Sequence, residues 1–263
     1  MEFPRSRALV PSLRVLDEAT STNDVLAALA NSEANGSTVV TLNQTAGRGR
    51  LGRVWVAPPG KTLAASVLLI PASSDRGLAP EVFGWLPLIA GAAMASSIDA
   101  LVGDGRTGLK WPNDVQVDGS KVCGILAELL PSGRVVLGTG VNLSLTGDEL
   151  PVPSATSLSL AGVAGTAEEL ADRVLSGYLG TLLELVDRLV AADGDAVASG
   201  VHREVSEWCR TIGKQVRVEL PGGSNRFGVA VGIDPTGCLL VRDQRDETVS
   251  AVAAGDVTHL RYE

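Results

Sequence analysis

Seven consecutive residues, Gly47-Arg48-Gly49-Arg50-Leu51-Gly52-Arg53, set three arginines among three glycines in a chain whose formal net charge is -8. Glycine lets the backbone turn successive N–H groups toward one anion. The guanidiniums between them donate charge-assisted hydrogen bonds to phosphate or carboxylate oxygens. On an acidic protein such a local cluster suits a small anionic ligand, phosphate first, and argues against a general nucleic-acid or anionic-membrane surface. Gly47, Gly49 and Gly52 also match the spacing of a dinucleotide fingerprint. That fingerprint must open a helix, whereas Pro58-Pro59-Gly60 and a β-type run follow here. No Gly-Lys-Ser/Thr follows either, so the segment is not a P-loop. Taken alone, it also reads as an exposed hairpin loop with incidental arginines.

Other chemically capable groups recur at intervals. Ser21-Thr22-Asn23 reads both as a helix cap and as a set of polar groups for a ligand. Gln44 stands just before the loop, either as a strand-end amide or as a ligand contact. Lys110-Trp111-Pro112-Asn113-Asp114 precedes the turn Asp118-Gly119, and Lys121-Val122-Cys123-Gly124-Ile125-Leu126-Ala127-Glu128 follows it. The short turn lays the two segments side by side, so Lys121 and Asn113-Asp114 can face one site. By itself Lys121 is equally a strand-edge lysine with its head in water. Three dispersed cysteines and two isolated histidines indicate neither a disulfide framework, a zinc site nor a Ser-His-Asp hydrolase.

Together and in this order, these segments resemble the biotin protein ligase family over nearly the whole chain. The resemblance implies a class II synthetase-like α+β catalytic domain, a small SH3-like C-terminal domain and a two-step reaction. Biotin and ATP, with Mg2+, give biotinyl-5'-AMP; the biotin then passes to a lysine on a carboxyl carrier domain. By resemblance Lys121 bridges the biotin carboxylate and the α-phosphate, and Arg48 holds the carboxylate. Arg50 retains the adenylate, and Arg53 meets the outgoing phosphates. Ser21, Thr22, Asn23, Gln44, Gly47, Gly49 and Gly124 complete the biotin positions. Trp55, Asn113 and Asn142 are nucleotide positions, and Asp114 can help place Mg2+ through water or form an Asx turn. Some family members add an N-terminal helix-turn-helix. About twenty residues precede Ser21, too few for such a unit, so the expectation is a monofunctional ligase that binds no nucleic acid. A lipoate or octanoyl transferase and a non-catalytic adenylate-binding regulator are the alternatives; the arginine loop and Lys110 to Asp114 favour biotin.

These groups need a scaffold. At 263 residues and 45% hydrophobic, the chain can bury a large core. Cap residues before Val25 and Leu26 predict a helix beginning near Ser21 or Thr22. Strands are predicted at Thr38–Thr41, Thr62–Ile70, Leu109–Val117, Lys121–Leu130 and Arg134–Leu143. Helices are predicted at Pro80–Leu101 and Ala167–Ala191, with a partner over Asp195–Cys209. From Ile212 short strands, with Pro221-Gly222-Gly223 among the turns, predict a small all-β module closing as a barrel. The expected division is a catalytic domain at 1–211 and a second domain at 212–263, the first a mixed sheet backed by helices. Leu86 to Val102 reads as a buried core helix and no signal peptide is evident, so a cytoplasmic protein without a membrane partner is expected.

Overall fold

Every second side chain of a strand faces the same way, and in this chain the two sets differ sharply in character. The computed structural model describes residues 2–55, 57–73, 76–219, 224–253 and 256–259. A short helix Pro4–Arg7 (α1) and strand Leu13–Leu16 (β1) precede helix Thr22–Leu29 (α2) and strand Thr38–Thr41 (β2). The arginine segment is a small hairpin, Gly47–Arg48 (β3) and Val54–Trp55 (β4), around a 3-10 turn at Arg50–Gly52. Strand Thr62–Leu69 (β5) and a second small hairpin, Ala72–Ser73 (β6) and Arg76–Gly77 (β7), lead through a 3-10 turn at Pro80–Gly84 to helix Trp85–Val102 (α3). Strands Thr107–Lys110 (β8), Asp114–Val117 (β9), Ser120–Leu129 (β10) and Val135–Asn142 (β11) follow, then helices Ala167–Ala191 (α4) and Val201–Trp208 (α5).

A seven-stranded sheet runs in the order β1-β2-β5-β11-β10-β9-β8, with β1 parallel to β2 and every other pairing antiparallel. On one face Leu63, Ala65, Val67 and Leu69 of β5, with Val135, Leu137 and Val141 of β11, join α3 and α4 in the main core. On the other, Leu68 and Val136 meet Leu26 and Ala30 around α2. That second face is only partly covered, which leaves room beside α2 for a cavity. Helix α3 is apolar on all sides because protein surrounds it: the sheet, α4 and α5 pack against it. The stretch Glu81–Val102 is long and apolar enough to cross a bilayer by length and composition, but its buried side chains are those of a core helix. Helix α4 starts on a capping box between Thr166 and Glu169.

Strands Gln215–Glu219 (β12), Asn225–Ile233 (β13), Leu239–Asp243 (β14), Val249–Val252 (β15) and Asp256–His259 (β16) form an antiparallel sheet ordered β15-β14-β13-β12-β16. The expected barrel is not closed: among the described residues its edge strands, β15 and β16, do not pair. Val216, Val218, Ala230, Val241 and Val252 are buried and continuous with the main core, and α5 packs against β13. Trp85 Nε1 donates to Pro235 O at 3.0 Å and Trp111 Nε1 to Gly237 O at 3.2 Å across that seam.

Other differences are local. The single strand expected over Leu109–Val117 is the hairpin β8–β9, reversed at Trp111-Pro112, whose peptide is cis; Pro112 has no N–H with which to continue a ladder. The helix expected over Asp195–Cys209 is confined to α5, since the Asp195 side chain accepts the N–H groups of Val197 and Ala198 in a turn and Gly200 sits at φ 77°. The strands β1 and β16 are too short to carry a periodic signal. The Pro221-Gly222-Gly223 turn lies outside the described residues.

Candidate functional site

Small residues make the floor of the site. Gly138 and Gly140 on β11 and Gly124 on β10 face the α2 side of the sheet beneath a cavity of about 420 Å³, a size that suits a small ligand. A Cβ on Gly140 would lie 2.6 Å from Trp55 Cε2, and one on Gly124 would lie 3.1 Å from Lys121 Nζ. A side chain on Gly140 would collide with the indole, while one on Gly124 would crowd the Lys121 ammonium.

Lys121 reaches the cavity through a β-bulge. Along β10, Cys123 and Ile125 point into the core while Gly124 and Leu126 face the cavity. Regular alternation would turn Lys121 inward with Cys123. The register shifts between Lys121 and Cys123, so Val122 and Cys123 both enter the core and Lys121 returns to the cavity side. Its Nζ stands 2.6 Å from Asp114 Oδ1 and 5.9 Å from the Trp55 ring centroid, within cation–π range. The backbone there is fixed as well: Lys121 N donates to Ser154 O and Thr156 N to Lys121 O, each at 2.8 Å. Burial pushes the neighbouring Cys123 thiol far above its usual range, so it is an inert packing group.

The arginine hairpin forms the opposite wall. Gly49 N donates to Arg53 O at 2.7 Å and Arg53 N to Arg50 O at 3.2 Å. These two amides are satisfied within the loop instead of turning toward an anion, and the side chains of Arg48, Arg50 and Arg53 line the cavity. Arg50 Nη1 donates to Asn113 Oδ1 at 2.8 Å, tying the loop to the β8–β9 turn. Arg48 Nη1 donates to Asp24 Oδ2 at 2.6 Å and Nη2 to Glu128 at 2.9 and 3.0 Å. The Asp24 hydrogen bond, with the Glu128 charge behind it, holds the Arg48 pKa above its usual value. Gly47 does not line the cavity. A Cβ there would meet Gln44 Nε2 at 2.5 Å and Trp55 O at 2.6 Å, so this glycine permits close packing of the hairpin.

At the start of α2, capping and lining coexist. Ser21 Oγ accepts from Asp24 N at 3.4 Å, while Ser21, Thr22 and Asn23 all border the cavity. Gln44 Oε1 accepts from Thr22 N at 2.9 Å and from its hydroxyl at 3.2 Å. Asn23 Nδ2 donates to Glu128 Oε2 at 2.5 Å, and Ser66 Oγ lies 2.6 Å from Asn23 Oδ1. Asn142 joins the wall with its Nδ2 on Thr156 O at 2.8 Å. Trp55, Asn113, Asp114 and Gly124 are lining residues too.

The sequence reading missed Gly138, Gly140, Ser66, Asp24 and Glu128, and the wall formed by Pro151, Val152, Ser154 and Ala155. Alternate glycines inside a strand, Gly138-Thr139-Gly140, are a legible sign of close approach; the 151–155 wall has no local signal. In sum, an ammonium and three guanidiniums line the cavity together with apolar Trp55 and Leu126. Such a site can hold an apolar ligand by its body and bring two anions together at its head. Among the described residues no group of three His, Cys, Asp or Glu could hold a metal ion.

Residues 15–142 match the biotin/lipoate A/B protein ligase family and residues 211–260 the biotin protein ligase C-terminal domain. A biotin--[acetyl-CoA-carboxylase] ligase of Mycobacterium tuberculosis is 39% identical over 254 residues, 95% of this chain and 89% of that one. The biotin protein ligase of Aquifex aeolicus in complex with biotin and ATP superposes with TM-score 0.73 at 26% identity, covering 96% of this chain and 100% of its own. The Leishmania major biotin protein ligase in complex with biotinyl-5-AMP gives TM-score 0.57 at 26% identity, covering 93% and 99%.

Proposed function

The chain belongs to the biotin protein ligase family, and from that premise we propose how its cavity carries out the ligation. It is a ligase with biotin and ATP as substrates. A carboxylate oxygen of biotin attacks the α-phosphorus of ATP, the bond to pyrophosphate breaks, and biotinyl-5'-AMP forms. A lysine amine on a carboxyl carrier domain then attacks the acyl carbon, loses a proton, and AMP leaves as the amide forms.

The obstacle in the first step is the repulsion between a carboxylate and a polyphosphate. Lys121 answers it from between the two anions, since its ammonium can donate to both while Asp114 and Trp55 hold it over Gly124. Arg48 holds the carboxylate side and Arg53 the departing pyrophosphate. Arg50, tied to Asn113, closes over the adenylate, which would otherwise hydrolyse or acylate bystander amines. Ser21, Thr22 and Gln44 meet the ureido ring, and Leu126 borders its apolar chain. Asn142 and Trp55 contact the nucleotide. The donors do not fit a resident metal: Asp114 is already paired with Lys121. Magnesium therefore comes as part of the substrate Mg-ATP, keeping much of its water shell, with Asp114 reaching it at most through water.

The observation that carries this reading is the bulge that turns Lys121 back to the arginine-lined cavity. Its test is incubation with labelled biotin, Mg-ATP and a biotin carrier domain, with lipoate as competitor. Label should pass to the carrier undiminished by lipoate. Transfer of lipoate in place of biotin, or of neither, would refute it.

A further inference from the structure

Ser66 on β5 does not line the cavity; it is fully buried beneath the first turn of α2. Its Oγ stands 2.8 Å from Thr22 Oγ1 and 2.6 Å from Asn23 Oδ1. The direction of the hydrogen bonds in this cluster is fixed from its rim, by groups that can act in only one sense. Thr22 N can only donate, and its 2.9 Å bond to Gln44 Oε1 turns the Gln44 oxygen toward α2. The Glu128 carboxylate, paired with Arg48, only accepts. Its 2.5 Å contact takes the Asn23 nitrogen, which leaves the Asn23 oxygen for Ser66. The Thr22 hydroxyl gives its proton to Gln44 Oε1 at 3.2 Å. Ser66 is then the donor to both Thr22 Oγ1 and Asn23 Oδ1, with one proton shared between two acceptors.

A defined set of groups is thereby left for a ligand. Gln44 Oε1 already takes two donors, so this amide has its Nε2 hydrogens to offer the cavity. Thr22 Oγ1 has given its proton to Gln44 and receives Ser66, so it offers a lone pair. Ser21 Oγ accepts from Asp24 N at 3.4 Å and keeps its own proton to give. We propose that Ser66 is a positioning residue that sets this polarity, and with it the ligand head the cavity selects: a carbonyl oxygen for Gln44 and Ser21 beside an N–H for Thr22, as in a cyclic urea. A ring of similar size without those groups leaves the site's donors and acceptor unpaired, a penalty that discriminates more sharply than a difference of one methylene. Without the Ser66 hydroxyl, Asn23 Oδ1 loses its donor and nothing holds the Thr22 proton on Gln44. The place of biotin in this cavity is the function proposed above, and the effect on ligands rests on that reading.

The experiment compares wild type with Ser66→Ala and Ser66→Cys by calorimetric titration of biotin, desthiobiotin and lipoate, with a thermal melt and the KM for Mg-ATP recorded on each protein. Desthiobiotin keeps the urea without the thioether ring, and lipoate keeps the carboxylate tail without the urea. Ser66→Ala should weaken biotin and desthiobiotin alike by about tenfold or more, while lipoate binding and the KM for Mg-ATP stay within about twofold of wild type. Ser66→Cys, a weaker donor of similar size, should fall between the two. Biotin affinity within about twofold of wild type in Ser66→Ala would overturn the proposal. So would an equal loss for biotin, lipoate and Mg-ATP with a lowered Tm, which marks a general structural role. A wild type that binds no biotin brings down the ligase reading and this proposal with it, whereas a wild type that binds biotin beside an indifferent Ser66→Ala brings down the role of Ser66 alone.

Discussion

Replacing Lys121 by alanine isolates one charge at the centre of the site. Its side chain pairs with Asp114 at 2.6 Å, with 32% and 22% of the two side chains exposed. An ion pair this close to water contributes at most about 1 kcal/mol to stability. The backbone bonds of residue 121 to Ser154 and Thr156 do not involve the side chain, so the bulge survives. The variant should therefore remain folded, with Tm within a few degrees of wild type. Catalysis should suffer more. A hydrogen bond to a charged group is worth about 1.5–3 kcal/mol, and each 1.4 kcal/mol or so removed from the transition state costs about tenfold in rate. If Lys121 draws carboxylate and α-phosphate together, adenylate formation should fall by tenfold at the least, and by about a hundredfold if both contacts tighten in the transition state. The assay is single-turnover formation of biotinyl-5'-AMP from biotin and labelled Mg-ATP at saturating substrates, alongside a thermal melt. A folded Lys121→Ala protein that forms adenylate within about twofold of wild type would remove the ammonium from the reaction.

Other perturbations follow from the same geometry. Gly138→Ala places a methyl 2.9 Å from Asn23 Cγ; it should cost about 1–3 kcal/mol by overpacking and weaken biotin binding, read by calorimetry on a protein whose melt is also recorded. Arg50→Gly removes the tie to Asn113 and should still form adenylate but release it, seen as scattered biotin on bystander lysines; tight retention would contradict the role given to Arg50. Asp172→Ala takes the carboxylate acceptor from Ser6 N and Arg5 N, now bound at 3.0 and 3.2 Å, and leaves Ser6 Oγ only the carbonyl of residue 172 at 3.3 Å. A loss of about 1–3 kcal/mol is expected, read as a Tm lower by several degrees with activity retained at low temperature. Cys123 and Cys209 are buried, with burial pushing both thiols up, so a thiol reagent should modify Cys238 first in the native protein and the other two only on unfolding.

Much of the scaffold was readable in advance because its signals are local. Thr38–Thr41 and Ala167–Ala191 stand where the β-branched run and the capped apolar period place them. Ser21 caps α2 as its residue type suggests. The arginine–glycine loop, the lysine beyond the Asp118-Gly119 turn and the polar run at Ser21 announced themselves by composition and spacing. The Asp118 and Gly119 φ values, 49° and 77°, are those a tight hairpin turn demands.

Tertiary structure decided what those residues do to one another. Alternation along β10 would have sent Lys121 into the core with Cys123; only the bulge, a property of the pairing with β9, returns it to the cavity. The commitment of Arg48 to Asp24 and Glu128, 24 and 80 residues away in the chain, is likewise invisible locally. So is the pairing of β16 with β12, which leaves the C-terminal sheet open at β15 among the described residues. The sequence determined which chemistry was present and which elements would carry it, because capping, periodicity and turn chemistry act over a few residues. Register, pairing and burial are set by contacts between distant segments, and they determined which charges meet.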